Sequence, residues 1–371
     1  MSHLQGYSMS FKNLGLSDEL LNTIQKEGYS EATPVQERAI PLIIKGMDIL
    51  AGAQTGTGKT AAFALPILNR LQQYKSKKRR IRALILTPTR ELAAQVNNSF
   101  RTYGIALPFK TIEIFGGVSM RPQKSKLKKG VDIVVATPGR LLDHLSQNTI
   151  DLSGVEVLVL DEADRMLDMG FKKDIEKVIK QLPEKKQNLL FSATFPKEIQ
   201  KLASRLLNSP KKIQVASENS TAEKVKQTVY PVDQSRKREL LIHSIKENNW
   251  FQVLVFIKTK RAADKLTRQL NKQRILSDTI HGNKTQAART KALENFKKGK
   301  VQVLVATDVA ARGIDIDLLP VVINFNLPMV AEDYIHRIGR TARAGKEGEA
   351  ISLVCAEEFN LLSDIERLLK F

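Results

Sequence analysis

Two short segments of this chain carry residues suited to phosphate chemistry. The first is Ala53-Gln-Thr-Gly-Thr-Gly-Lys-Thr60. Gly56 and Gly58 lack a Cβ, so successive backbone N–H groups, with those of Thr55 and Thr57, can curl around phosphate oxygens. Lys59 brings a point charge for β- and γ-phosphates, and the Thr60 hydroxyl can ligate Mg²⁺. The second is Val157-Leu-Val-Leu-Asp-Glu-Ala-Asp164. Asp161 is suited to hold Mg²⁺ through its shell, and Glu162 to orient or deprotonate an attacking water. Each has a plainer reading: a Gly/Thr-rich turn, and a helix N-cap supplied by Asp161 or Asp164. Together in one chain they point to a nucleoside triphosphate bound with Mg²⁺.

These residues need a scaffold. Val155–Leu160 is apolar and β-branched and reads as a central strand of a parallel sheet, whose ligands lie beyond the carboxyl ends of the strands. A helix over 61–72 follows the loop and adds its positive N-terminal end. Short apolar runs alternate with helical stretches along the chain, the pattern of βα units around parallel sheets. In the first half strands are expected at 49–51, 83–87, 111–115, 133–136, 157–160 and 188–192. In the second they are expected at 227–232, 252–256, 277–280, 303–306, 321–324 and 348–354. The halves echo each other: Val131-Asp-Ile-Val-Val-Ala-Thr137 resembles Val301-Gln-Val-Leu-Val-Ala-Thr307. The polar stretch 216–224 breaks them as a flexible linker would. The chain therefore reads as a leader at 1–8, a first domain at 9–216, a linker at 217–225 and a second domain at 226–371.

Asp161-Glu-Ala-Asp164 is the name-giving motif of the DEAD-box RNA helicases, and the chain resembles that family from end to end. Phe11 and Gly28-Tyr29-x-x-Ala-Thr-Pro-Val-Gln36 resemble the family's adenine-reading segment, with Thr33 inside it. Pro88-Thr-Arg-Glu-Leu92, Gly116-Gly117 and Thr137-Pro-Gly-Arg140 resemble its RNA-contacting motifs, and Ser192-Ala-Thr194 the motif that couples hydrolysis to unwinding. Val255-Phe256, Gln286-x-x-Arg289, Thr307-Asp-Val-Ala-Ala-Arg-Gly-Ile-Asp315 and His336-Arg-Ile-Gly-Arg-Thr-Ala-Arg343 match motifs of the second half. Ala342 stands where the family has Gly. The wording of Arg165-Met-Leu-Asp-Met-Gly-Phe171 is similar to the bacterial RhlE-type subgroup.

The resemblance implies two tandem RecA-like domains of α/β class, each a mostly parallel sheet flanked by helices. It implies an ATPase that needs RNA and completes its site when the domains close. Arg340 and Arg343 would then supply charge to the γ-phosphate, a contribution of roughly 10³–10⁵ in rate for such arginines. Gln36 suits one edge of adenine, because its amide both donates and accepts. Phe11 or Tyr29 would stack on the base or simply pack in the core. Gly313 and Asp315 fall to the nucleotide, Asp315 at a ribose hydroxyl. Asp164, Ser192, Thr194 and His336 would couple the sites, although Ser192 and Thr194 also read as turn-capping hydroxyls. Pro88, Thr89, Arg90, Gly116, Gly117, Thr137, Gly139, Arg140, Gln286, Arg289, Thr307 and Arg312 would line RNA. An RNA clamp, a DNA helicase and a small P-loop kinase are the competing classes.

Composition agrees with a polyanionic partner: formal charge is +20 and the isoelectric point is near 9.9 over 371 residues. Aromatic residues are only 6%, which favours contacts to sugar and phosphate over base stacking, hence little sequence preference. Lys75–Arg80 reads as a solvated loop or an RNA contact. Lys124–Lys129 reads as a basic helix near RNA or a solvated face. The lone Cys355 reads as a small buried hydrophobe, and a single cysteine fits a reducing, cytoplasmic compartment. No apolar run approaches the ~18 residues of a membrane span, and a monomeric core is expected.

Overall fold

Four-residue runs such as Ala83-Leu-Ile-Leu86 and Ile133-Val-Val-Ala136 have apolar side chains on both faces, so they are stable only where both faces are covered. That requirement organises the molecule. The computed structural model describes residues 9–53, 57–73, 79–214, 225–311, 316, 319–341 and 348–369. The leader at 1–8 and residues 217–224 of the expected linker lie outside them. The chain divides into two compact units, Met1–Ser217 and Glu218–Phe371.

In the first unit the strands are β1 (Ile49–Gly52), β2 (Ala83–Leu86), β3 (Thr111–Ile114), β4 (Ile133–Ala136), β5 (Val157–Leu160), β6 (Gln187–Ser192) and β7 (Lys211–Gln214). They form a parallel sheet in the order β3-β4-β2-β5-β6-β1-β7. The helices are α1 (Asp18–Lys26), α2 (Pro34–Ile44), α3 (Lys59–Gln73), α4 (Arg90–Tyr103), α5 (Met120–Lys128), α6 (Pro138–Ser146), α7 (Ala163–Asp168), α8 (Lys172–Ile179) and α9 (Lys197–Leu206). One face of the sheet packs with Val35, Ile40, Phe63, Phe100 and Phe191, the other with Leu141, Met166, Ile175 and Ile199. Register sets the site: Leu86 pairs with Ala136 and Leu160, Leu160 with Leu190, and Gly52 with Ser192. The segments after these residues therefore emerge along one edge.

The second unit repeats the plan. Strands β8 (Val225–Pro231), β9 (Val253–Phe256), β10 (Ser277–Ile280), β11 (Val303–Ala306), β12 (Val321–Asn324) and β13 (Gly348–Val354) are parallel in the order β10-β11-β9-β12-β13-β8. Helices α10 (Lys237–Glu247), α11 (Lys260–Lys272), α12 (Gln286–Lys297), α13 (Asp308–Ala311), α14 (Ala331–Ile338) and α15 (Phe359–Leu369) flank it. Val225, assigned to the linker from sequence, opens β8: it is buried and pairs with Gly348. No helix among the described residues is long and apolar enough to cross a membrane.

Candidate functional site

The described part of the phosphate loop, Thr57-Gly58, joins β1 to α3. Gly58 has φ +87°, and a Cβ there would collide with the Gln36 amide. Both facts demand glycine. The N-terminus of α2 cradles the loop: the Thr33 hydroxyl donates to the Thr57 carbonyl at 2.8 Å, and Gln36 Nε2 donates to the Gly58 carbonyl at 3.1 Å. Gln36 Oε1 in turn accepts from the Thr33 N–H at 2.9 Å, closing a capping box. Gln36 is thus buried with its amide joined to the loop. Phe11 takes the core position the sequence left open, edge-to-face with Tyr29, a residue that is itself 41% exposed. Tyr29 also meets the hydroxyl of Tyr103 at 3.3 Å.

Lys59 is the first residue of α3 and Asp161 the first after β5. Both are buried, and Lys59 Nζ and Asp161 Oδ1 have no hydrogen-bond partner among the described residues. Burial pushes the Asp161 carboxyl up to about 6; the Lys59 charge opposes that rise, and Glu162 and Asp164 add to it. Thr60 is half-buried one residue beyond Lys59. This donor set fits a hard cation. Among the described residues no group of three or more His, Cys, Asp or Glu side chains is arranged to hold a metal. Asp161 and Thr60 are side chains that fit Mg²⁺, which takes most of its ligands from phosphate and water.

Neither Asp161 nor Asp164 caps α7; the N-cap is Glu162, held in the left-handed region at φ 52°, ψ 52°. Asp164 is spent elsewhere. Its Oδ2 accepts from the Ala193 N–H at 3.0 Å, the Thr194 N–H at 2.9 Å and the Thr194 hydroxyl at 3.0 Å. Ser192 donates to the Thr194 carbonyl at 2.7 Å. Thr194 thus reaches across to Asp164 on α7, while Ser192 makes a turn contact.

Along the same edge Thr89 caps α4 by accepting from the Leu92 N–H, with Pro88 and Thr89 buried and Arg90 half-buried. The Arg90 guanidinium lies where a Gly117 side chain would be, and Gly117 has φ +74°. Arg140 donates to the Val118 carbonyl at 3.1 Å and ion-pairs with Asp143 at 3.3 Å. Gly116 lies 3.9 Å from Arg140 by its absent Cβ. Thr137 is the N-cap of α6, which starts at Pro138. A Cβ on Gly139 would meet nothing within 4 Å. Pro88, Thr89, Arg90, Gly116, Gly117, Thr137, Gly139 and Arg140 therefore share one edge of the first unit.

In the second unit Gln286 opens α12 and Arg289 donates to the Ala310 carbonyl at 3.4 Å. The Thr307 carbonyl accepts from Ala310 and Ala311 and starts α13. His336 is half-buried and Arg340 buried. Thr55, Gly56, Arg312, Gly313, Asp315 and Arg343 lie outside the described residues. Of the basic runs, Arg79 pairs with Asp132 and Arg80 with Glu156, while Lys124 and Lys126 on α5 bond Gln147 and Glu113. Cys355 is buried, which pushes its thiol up to about 11.

Against this geometry, the DEAD/DEAH box helicase family model matches residues 33–202, and the helicase conserved C-terminal domain model matches 236–345. An ATP-dependent RNA helicase of Listeria monocytogenes, CshA, is 43% identical over 360 residues, covering 97% of this chain and 69% of the relative. The chain belongs to the DEAD-box family of ATP-dependent RNA helicases. This helicase is also 43% identical to RhpA of Helicobacter pylori over 358 residues, covering 96% of the chain and 72% of RhpA. The structure of S. cerevisiae Dbp5 bound to RNA and ADP BeF3 matches with TM-score 0.85 at 31% identity, covering 97% of this chain and 93% of that one. Both units of the helicase are accordingly RecA-like.

The helicase uses residues that its sequence did not single out. Arg337 is buried and forms a two-pronged ion pair with Asp308 at 2.6 and 2.7 Å. It also donates to Asn324 Oδ1 and the Asn326 carbonyl, and stands 4.9 Å over the Phe256 ring. It thereby ties the Thr307 and His336 segments together. A charge inside a motif rich in arginine gives no hint of which arginine turns inward. Gly52 is a second case: a Cβ there would meet Phe195 at 2.7 Å, so β1 and the segment after Thr194 pack without a gap.

Proposed function

We propose that this helicase couples ATP hydrolysis to RNA binding and separates short duplexes locally by bending one strand. The observation that carries the proposal is the common edge of the first sheet. It gathers the Lys59 and Asp161 atoms that lack partners, the Asp164 contacts to 193–194, and the Arg90–Arg140 group. Lys59 and the loop amides would bind the β- and γ-phosphates, with Tyr29 against the base and Gln36 holding the loop in shape. Asp161 and Thr60 would hold Mg²⁺, which would supply neutralising charge at the phosphates. Glu162 would orient the attacking water and accept its proton. We assign to Arg340 and Arg343 the positive charge that develops value only in the transition state, to Gly313 and Asp315 further nucleotide contacts, and to His336 a coupling role.

For RNA, Thr89, Gly117, Gly139 and Arg140 would grip phosphates from the first unit, and Gln286, Arg289, Thr307 and Arg312 from the second. The charge of +20 and the 6% aromatic content support binding with little sequence preference. A cytoplasmic, monomeric core that acts away from membranes, and the RhlE-type placement, belong to the same proposal. The test is ATP hydrolysis with and without single-stranded RNA beside matched DNA, followed by strand displacement. Stimulation by RNA alone, with displacement of short duplexes, is expected. Equal stimulation by DNA would overturn the substrate class. RNA stimulation without displacement would leave an ATP-gated clamp in place of an unwinding enzyme.

A further inference from the structure

Three carboxylates crowd four residues at the end of β5: Asp161, Glu162 and Asp164, all buried. Like charges so close cannot be placed in a dry site without cations. Lys59 acts on Asp161. Asp164 is answered by the 193–194 donors. The counter-charge for Glu162 comes from a residue that carries no assigned role. Arg165 Nη1 donates to Glu162 Oε2 at 2.9 Å, and each residue is only 3% exposed. A charge-assisted bond between two buried groups fixes a rotamer far more firmly than one at the surface.

The backbone adds to this. Glu162 sits in the left-handed region just before α7, a conformation that an L-residue adopts only when its surroundings hold it there. Arg165 lies one helical step on, at i+3, so its side chain turns back over the N-terminus of α7. Its own N–H donates to Asp164 Oδ1 at 3.0 Å. The same residue therefore touches the carboxylate proposed to handle the water and the one bonded to the 192–194 segment.

We infer that Arg165 is a positioning residue for ATP hydrolysis: it holds the Glu162 carboxylate in the orientation from which it meets the attacking water. The inference rests on the role proposed above for Glu162. A residue that acts this way is needed for turnover and not for binding nucleotide. Misplacing a reacting group by about 1 Å costs on the order of 100-fold in rate.

The experiment is RNA-stimulated hydrolysis by the full chain, in steady state and single turnover, for Arg165→Met, Arg165→Lys, Glu162→Gln and the Arg165→Met/Glu162→Gln pair. Nucleotide and RNA affinities are measured for all four. Arg165→Met keeps the length of the side chain and removes its charge. It should lower kcat roughly 10- to 100-fold with KM for ATP within about twofold. Arg165→Lys should recover a large part of kcat. The double variant should hydrolyse as slowly as Glu162→Gln alone, because a residue acting through Glu162 has nothing left to position. Wild-type kcat in Arg165→Met, beside an inactive Glu162→Gln, would overturn the inference and leave the proposed function intact. Loss of ATP or RNA affinity in Arg165→Met that matches its loss of rate would also overturn it, since that marks a structural prop for α7. Wild-type hydrolysis by Glu162→Gln would instead overturn the role of Glu162, and the inference with it.

Discussion

Lys59 carries its charge into a buried place where its Nζ finds no hydrogen-bond partner among the described residues and only the charge of Asp161 answers it. Such an arrangement is costly unless an anion completes it. Lys59→Ala should therefore weaken ATP binding by about 2 kcal/mol, roughly 30-fold, with little loss of stability. Equilibrium titration with nucleotide reads this, and unchanged affinity would remove the loop from the ATP site. Gly139 makes the opposite argument. Its φ is unexceptional and a Cβ would touch nothing, so the chain itself does not need glycine there. Gly139→Ala lies inside α6 and should raise stability by about 0.5 kcal/mol, since alanine favours helix. If the space serves RNA, affinity for a single strand should fall in the same variant. A stabler protein with undiminished RNA binding would show that the space serves nothing. Sequence made the glycines visible but could not separate these cases. Gly58 is glycine because of Gln36 and Gly117 because of Arg90, whereas nothing within the described residues requires glycine at Gly139.

Elements were legible where burial is two-sided. β4, β5, β11 and β12 fall on the residues expected, because nearly continuous apolar runs with both faces buried admit little else; the more polar β10 and β13 also match their expected bounds. β7 escaped notice. Lys211-Lys-Ile-Gln214 sits at the edge of its sheet with only Ile213 buried, so three of its four side chains carry no apolar signal. Side-chain contacts such as Arg165 to Glu162, or Arg337 to Asp308, were legible only as charge.

A pH effect belongs to this scale, because His144 joins two helices. It lies buried on α6, with Nε2 3.2 Å from Gln123 on α5 and Nδ1 2.8 Å from Thr149. Burial above all, then the Arg140 and Lys124 charges, holds its pKa below the ordinary 6.5. The folded protein thus keeps His144 neutral while the unfolded chain takes up a proton near 6.5. Stability is full above that value and falls as the pH drops below it, until the lower folded pKa is reached. The loss is at most about 1.4 kcal/mol per pH unit. Urea unfolding at pH 7.5 and 5.5 should show a larger loss for wild type than for His144→Gln. Equal losses would mean that His144 does not set the acid sensitivity.

For the molecule as a whole, charge and sparse aromatics lead to one expectation. RNA affinity should fall steeply with salt, with a logarithmic slope of about −0.7 per phosphate neutralised, and should vary little between sequences of equal length. A shallow slope with strong preference among sequences would mean that bases are read directly. Arg340→Ala tests the second unit's share in hydrolysis. Turnover should drop at least about 100-fold while ATP affinity is retained, because charge recruited for the transition state is not spent on the ground state. Activity at the wild-type level would withdraw Arg340 from the reaction.

The strand order of the first sheet bears on how the chain is made. β1 lies between β6 and β7, and both are encoded far downstream of it. At about 5–20 residues per second, a ribosome needs roughly 7–28 s to deliver β6 after β1 has emerged. Throughout that interval Ile49 and Ala51, which end fully buried, have neither neighbour to pair with. The strand that leads into the phosphate loop therefore spends that interval with both of its edges open. A message cut short before residue 187 would yield a protein with an open, adhesive sheet edge.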